Sequence, residues 1–180
     1  MRSRRDFLKK SLLFTSAIIV PSRSSANALE KRIKLYHIHT GEHLDAIFWI
    51  DGEYIYDELV NIDYFLRDYR TDEVRKIDVK LLEYLYGIQR RLHANREFNI
   101  LSGYRSPKTN DYLRHHSKGV AKHSFHMYGR ALDIHLPGYH LSTLKYAALS
   151  LRRGGVGYYP KSHFIHIDTG APRYWRYPKR

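Results

Sequence analysis

Between positions 123 and 135 the chain reads HSFHMYGRALDIH, which gathers His123, His126, Asp133 and His135 into one short stretch. A second group, HFIHID, follows at 163–168 and supplies His163, His166 and Asp168. Imidazole and carboxylate are the donors from which a protein without cysteine builds a zinc site, and this chain has no cysteine. Neither stretch has the HExxH spacing that puts two histidines on one face of a helix, so a site here must be assembled from separate elements. Two imidazoles and one carboxylate would leave a fourth position for water. An ion held that way lowers the pKa of the water and polarises a carbonyl, which is what amide hydrolysis demands. The spacing alone is equally compatible with a buried, hydrogen-bonded His–Asp pair.

Strand geometry decides which of these residues can meet. If RALDIHL (130–136) is a strand, alternation puts Ala131, Asp133 and His135 on one face and Arg130, Leu132 and Ile134 on the other. In HFIHID, Phe164, His166 and Asp168 share a face. Pairing of these strands would bring Asp133 and His166 to one point, with His126 arriving from the loop side of Gly129. The remaining pattern reads as IKLYHIH (33–39) and LDAIFWI (44–50) paired around Thr40-Gly41-Glu42, then a second turn at Asp51-Gly52. A helix is expected from about Asp57 to Arg70, and a second one capped by Asp78 over VKLLEYLYGIQRRLHA. Phe98–Leu101 reads as a strand and Pro107 as the opening of a helix that stops at Gly119. Ser142 is expected to cap a helix reaching Arg153, and VGYY and HFIHID to close the sheet as strands. This order, without regular β–α alternation, predicts one α+β domain with a mainly antiparallel sheet and flanking helices.

The first 28 residues do not fit that domain. Arg4 and Arg5 precede the apolar run SLLFTSAIIV, and Ala26-Asn27-Ala28 supplies a small-residue cleavage site. This is the order of an export signal, and the paired arginines point to the twin-arginine route, with cleavage after Ala28 and a mature protein at 29–180 in the periplasm. An apolar run of ten residues falls short of the roughly 20 needed to span a bilayer, so no stable membrane span is expected. The full chain has 31 Lys+Arg against 18 Asp+Glu; removing six bases and one acid with the signal leaves 25 against 17, a net +8. A basic exported protein favours the anionic cell wall over nucleic acid as its partner.

SFHMYGRALD fits the pattern S-x-H-x-x-G-x-A-x-D, matched at Ser124, His126, Gly129, Ala131 and Asp133. In this the chain resembles the zinc peptidases that include D-alanyl-D-alanine dipeptidases and carboxypeptidases. SGYRS (102–106), HTGE (39–42) and AALSLRRGGVGYYPKSHFIHIDTG extend the resemblance to the murein endopeptidase K-like branch. The resemblance implies a hedgehog/DD-peptidase-type fold and an enzyme that hydrolyses peptide crosslinks in peptidoglycan with a zinc-activated water; a monomer is expected. It implies one Zn2+ on His126, Asp133 and His166, with Arg105 stabilising a substrate carboxylate or the developing oxyanion. Related carboxypeptidases carry Glu or Asp three residues before the last zinc histidine, and here that position is His163. The general base is therefore expected at His163 or at Asp168, the latter alternatively serving to orient a ligand histidine. A wall-binding protein that keeps the fold without turnover is the competing reading.

Other histidines and glycines receive plainer expectations. His37 and His39 are read as the polar rim of a solvated hairpin, His115 and His116 as helix surface. Gly154, Gly155 and Gly157 lack the Lys-Ser/Thr of a phosphate loop and are read as places where backbone approaches a neighbour. The tail RYWRYPKR is read as a docked terminus.

Overall fold

Burial along the first strand, β1 (Glu30–His37), falls on Ile33, Leu35 and His37, the period of two that one covered sheet face imposes. A computed structural model describes residues 29–178; the export segment at 1–28 lies outside the described residues. β1 pairs with β2 (His43–Ile50), and the short β3 (Glu53–Tyr54) follows at the edge. Two helices, α1 (Tyr56–Phe65) and α2 (Val79–Arg91), then cross the sheet before β4 (Phe98–Ser102) returns parallel to β1. After α3 (Pro107–His116) and a 3-10 turn (Phe125–Tyr128) come β5 (Ala131–His135) and α4 (Leu141–Leu151), then β6 (Gly155–Tyr159), β7 (Phe164–Asp168) and β8 (Arg173–Arg176). The strands form one sheet in the order β3-β2-β1-β4-β5-β7-β6-β8. Only the β1–β4 and β6–β8 pairs are parallel. The α+β class and the mainly antiparallel sheet are as the sequence predicts.

One face of the sheet is dry. Leu132, Ile134, Ile165 and Ile167 from the central strands meet Leu81, Leu85 and Ile88 of α2 and Leu144 of α4 in a single core. α2 earns its place by composition: Asp78 caps it by accepting from Lys80 N, and Arg90 and Arg91 complement its C-terminal dipole. The other face of β5 and β7 carries Asp133, His166 and Asp168, all buried though polar.

Several boundaries differ from the sequence reading, each for a local reason. α1 stops at Phe65 because Asp68 turns inward and accepts from Arg70 N and Ser106 N, a side-chain alternative to continuing the helix. The released segment also takes Tyr104 N on the Leu66 carbonyl, so it pins the loop that carries Arg105. α4 is capped two residues earlier than expected, with His140 at the N-cap and no side-chain cap bond. His37 is fully buried rather than on a solvated rim, because its Nδ1 accepts from His39 N and Thr40 N and so closes the turn. The tail is a strand, β8, paired parallel to β6.

Candidate metal centre

The sheet register draws up the centre. Ser102 of β4 pairs with Asp133 of β5, Asp133 with His166 of β7, His166 with Gly157 of β6, and Gly157 with Trp175 of β8. These five positions form one transverse row on the face away from the core. His126 reaches it from the 3-10 turn, which Ser124 caps and which Gly129 ends in the left-handed region at φ 64°. A Cβ at Gly129 would collide with the Lys76 carbonyl, so only glycine closes this turn against its neighbour.

Three donor atoms converge. His166 Nδ1 lies 2.9 Å from Asp133 Oδ1 and 3.2 Å from His126 Nε2, and His126 Nε2 lies 3.3 Å from Asp133 Oδ1. Ligands on a tetrahedral zinc with bonds of roughly 2.0–2.1 Å stand about 3.3 Å apart, so the triangle fits such an ion with slight expansion. The protonation pattern fits better still. His126 donates Nδ1–H to the Gly103 carbonyl at 2.8 Å, and His166 donates Nε2–H to Asp168 Oδ2 at 3.1 Å. With a cation at the centre both imidazoles would keep their proton on these outward bonds, and all three inward atoms would present lone pairs. Three donor atoms at this range could hold a cation between them.

The buried charges shift one another. Burial pushes the Asp133 carboxyl up, but His126 and His166 beside it outweigh that and hold it far below the usual carboxylate range. Burial lowers His126 despite the neighbouring carboxylate. His166 sits above its ordinary value, because bonds to Asp133 and Asp168 overcome the cost of burial. Asp168 is fully buried, yet it stays ionised: besides His166 it takes both Nη atoms of Arg173, at 2.9 and 2.6 Å, and the amides of Gly155 and Gly170.

Arg105 stands at the Ser102 end of the row. It is nine-tenths buried, its Nη2 lies 3.2 Å from Ser102 Oγ and 3.5 Å from Asp133 Oδ2, and its Nε has no partner. The row opens on a pocket of about 580 Å³ whose wall includes Arg105, His123, Tyr159, Arg173 and Trp175. Asp133 is the only carboxylate on that wall among the described residues. Asp168 lies behind His166, with both oxygens engaged. His163 is elsewhere: it is exposed, left-handed at φ 60°, and packs edge-on against His135 at 5.2 Å in a separate pocket. The structure therefore brings His126, Asp133, His166 and Arg105 together, with Asp168 in contact through His166, and leaves His163 out.

His39 is exposed and stacks on Tyr69, while Glu42 takes both Nη atoms of Arg67. The HTGE segment is thereby a structural knot rather than a ligand set. Residues that the sequence reading passes over are Tyr159, Arg173 and Trp175. The alternation of Arg173 and Trp175 against Tyr174 and Arg176 is a strand signal that puts the first pair on one face; that this face lines the pocket follows from the pairing of β8 with β6.

Comparison with known proteins is consistent with this geometry. The family model described as "Peptidase_M15_2: Peptidoglycan L,D-endopeptidase MepK" matches residues 25–175. The peptidoglycan L,D-endopeptidase MepK of Escherichia coli strain K12 is 43% identical over 176 residues, covering 96% of this chain and 97% of that protein. The probable peptidoglycan L,D-endopeptidase MepK of Haemophilus influenzae is 45% identical over 141 residues, covering 78% and 76%.

Proposed function

Because the chain belongs to the M15-type peptidoglycan L,D-endopeptidase MepK family, we propose that it is a zinc-dependent endopeptidase that hydrolyses peptide crosslinks in peptidoglycan. The observation that carries this reading is the set of three inward donor atoms, 2.9–3.3 Å apart, on the wall of an open pocket. His126 Nε2, Asp133 Oδ1 and His166 Nδ1 would hold one zinc ion. When bound, such an ion supplies a nucleophilic water at neutral pH and polarises the amide carbonyl.

The chain's own residues do the rest. Gly103 and Asp168 fix the two imidazole tautomers, which keeps the donor set pre-organised. Arg173 and the Gly155 and Gly170 amides keep Asp168 ionised behind His166. Arg105, whose buried guanidinium lines the pocket, stabilises a substrate carboxylate or the charge that develops on the carbonyl oxygen. Neither His163, in its separate pocket, nor the fully engaged Asp168 is positioned to take a proton from the pocket. Of the imidazoles outside the triad only His123 lines it among the described residues, and His123 is assigned the proton.

The relatives' name specifies an L,D bond. A diaminopimelate–diaminopimelate crosslink joins an L-centre carbonyl to a D-centre amine, whereas the D-alanyl–diaminopimelate crosslink joins two D centres. The former is accordingly the proposed substrate. The proposed setting is the periplasm, reached by the twin-arginine signal at 1–28, which lies outside the described residues. Among the described residues no helix is long and apolar enough to cross a membrane. The test is to incubate the purified protein with sacculi rich in each crosslink, with and without chelator. Chelator-sensitive loss of the diaminopimelate–diaminopimelate dimer is expected. Binding to sacculi without any cleavage, at full zinc occupancy, would favour the non-catalytic wall-binding reading instead. Replacing Arg4 and Arg5 with Lys is expected to retain the precursor in the cytoplasm, and unchanged periplasmic delivery would contradict the assigned route.

A further inference from the structure

The row of side chains that crosses the sheet does not end at His166. Gly157 pairs with His166 on one side and with Trp175 on the other. A Cβ at Gly157 would come within 2.6 Å of the indole, so glycine alone lets Trp175 lie down across β6. The indole then does two things. Its ring packs against the His166 ring at 5.3 Å, and its Nε1–H donates to Tyr159 Oη at 3.0 Å. Tyr159 is held on both sides besides, stacked on Phe164 at 4.5 Å and 12° and tilted against Tyr177 at 5.7 Å.

A phenol oxygen carries one proton and accepts through the remaining lone pairs. With the indole N–H occupying the acceptor side, the Tyr159 O–H is turned away from Trp175. No described residue accepts it, and Tyr159 lines the same pocket as Asp133 and His166. A hydroxyl held by three aromatic neighbours, with its proton unspent, is a pre-aimed donor on the wall of the proposed reaction site.

We propose that Tyr159 is a catalytic residue, donating a hydrogen bond to the oxygen of the scissile carbonyl, and that Trp175 is its positioning residue. The inference rests on the endopeptidase reading. As the oxygen of water bonds to the carbonyl carbon, the C=O π pair moves onto the carbonyl oxygen. Tyr159 O–H bonds to that oxygen without giving up its proton. The pair returns as the C–N bond breaks, and the amine nitrogen leaves with the proton the water released. Burial raises the Tyr159 phenol above its ordinary value, so it remains a donor throughout the neutral range. Arg105, at the far end of the row, contributes charge; Tyr159 contributes direction.

The test compares Tyr159→Phe, Trp175→Phe and the double variant with wild type on a purified diaminopimelate-crosslinked muropeptide dimer. Removing one such donor is expected to lower kcat on the order of 100-fold, with KM and zinc content unchanged. A phosphinate pseudopeptide, which mimics the tetrahedral species, should bind Tyr159→Phe weaker by a similar factor in calorimetry. Trp175→Phe keeps an aromatic ring but loses the N–H, and should show a smaller drop in kcat. The double variant should be no worse than Tyr159→Phe alone, because both changes disable one hydroxyl. A folded, zinc-loaded Tyr159→Phe with kcat within about threefold of wild type and unaltered phosphinate affinity would overturn the proposal. So would an activity loss that tracks zinc loss. A wild type that cuts no crosslink would instead refute the endopeptidase reading, and this inference with it.

Discussion

Strand β5 contributes to two pockets, and the pockets differ in what stands behind their histidines. In the first, Asp133 and His166 face one another across the ladder, and His126 joins them from the turn. Each imidazole of the triad has an outward acceptor, Gly103 O for His126 and Asp168 for His166. In the second pocket, one step beyond those paired residues, His135 and His163 meet edge-on at 5.2 Å with no carboxylate on the wall. Burial and the neighbouring imidazole push His135 down, the response of a group whose charged form nothing supports. Two histidines near each other are therefore not a metal site. What separates the pockets is the carboxylate among the inward donors and the acceptors that fix each tautomer.

The strongest way to break this contrast is to remove the carboxylate. Asp133→Ala should leave two imidazoles that hold zinc poorly, abolishing metal content and lowering turnover by more than about 1,000-fold. Elemental analysis and muropeptide release check the two together. Next in size, His123→Ala should keep zinc while losing on the order of 100-fold in turnover if His123 takes the proton. Asp168→Asn acts through His166 rather than on the substrate. Zinc affinity should weaken by about 10- to 100-fold, with activity partly restored by excess metal. The smallest effect is expected from the second pocket: His163→Ala should stay within about threefold of wild type in both turnover and zinc affinity.

A histidine outside both pockets sharpens the point. His37 is buried, and burial pushes it down to about 4 from an ordinary 6.5. Between those values the unfolded chain binds a proton that the folded chain refuses, so stability falls as the pH drops through that window. The slope approaches about 1.4 kcal/mol per pH unit for one proton. Tm measured from pH 7 to 4.5 should show that decline in wild type and a flatter one in His37→Gln.

Much of the first pocket is legible in the sequence because strand period alone sets it. Once ALDIH and FIHID are strands, Asp133 and His166 must share a face, and pairing them is a matter of register. The left-handed Gly129 that delivers His126 is signalled by its place after a short capped turn. His163 illustrates the limit. Its spacing before His166 suggests an approach to the site, but its left-handed backbone takes it out of β7 and turns it towards His135. No local pattern announces a single left-handed residue that is neither glycine nor asparagine. Asp168 shares the face of His166 as alternation requires, yet what it touches depends on Arg173. That arginine comes from β8, whose parallel pairing with β6 is a long-range fact. The pocket wall formed by Trp175 and Tyr159 was hidden for the same reason.

The central claim is that His126, Asp133 and His166 hold one zinc ion, and calorimetric titration of metal-stripped protein with zinc tests it most directly. One high-affinity equivalent per chain is predicted for wild type and for the double variant His135→Ala/His163→Ala, and none for His126→Ala. A wild type that binds no zinc, or an equivalent that survives in His126→Ala and disappears in His135→Ala/His163→Ala, would contradict the account.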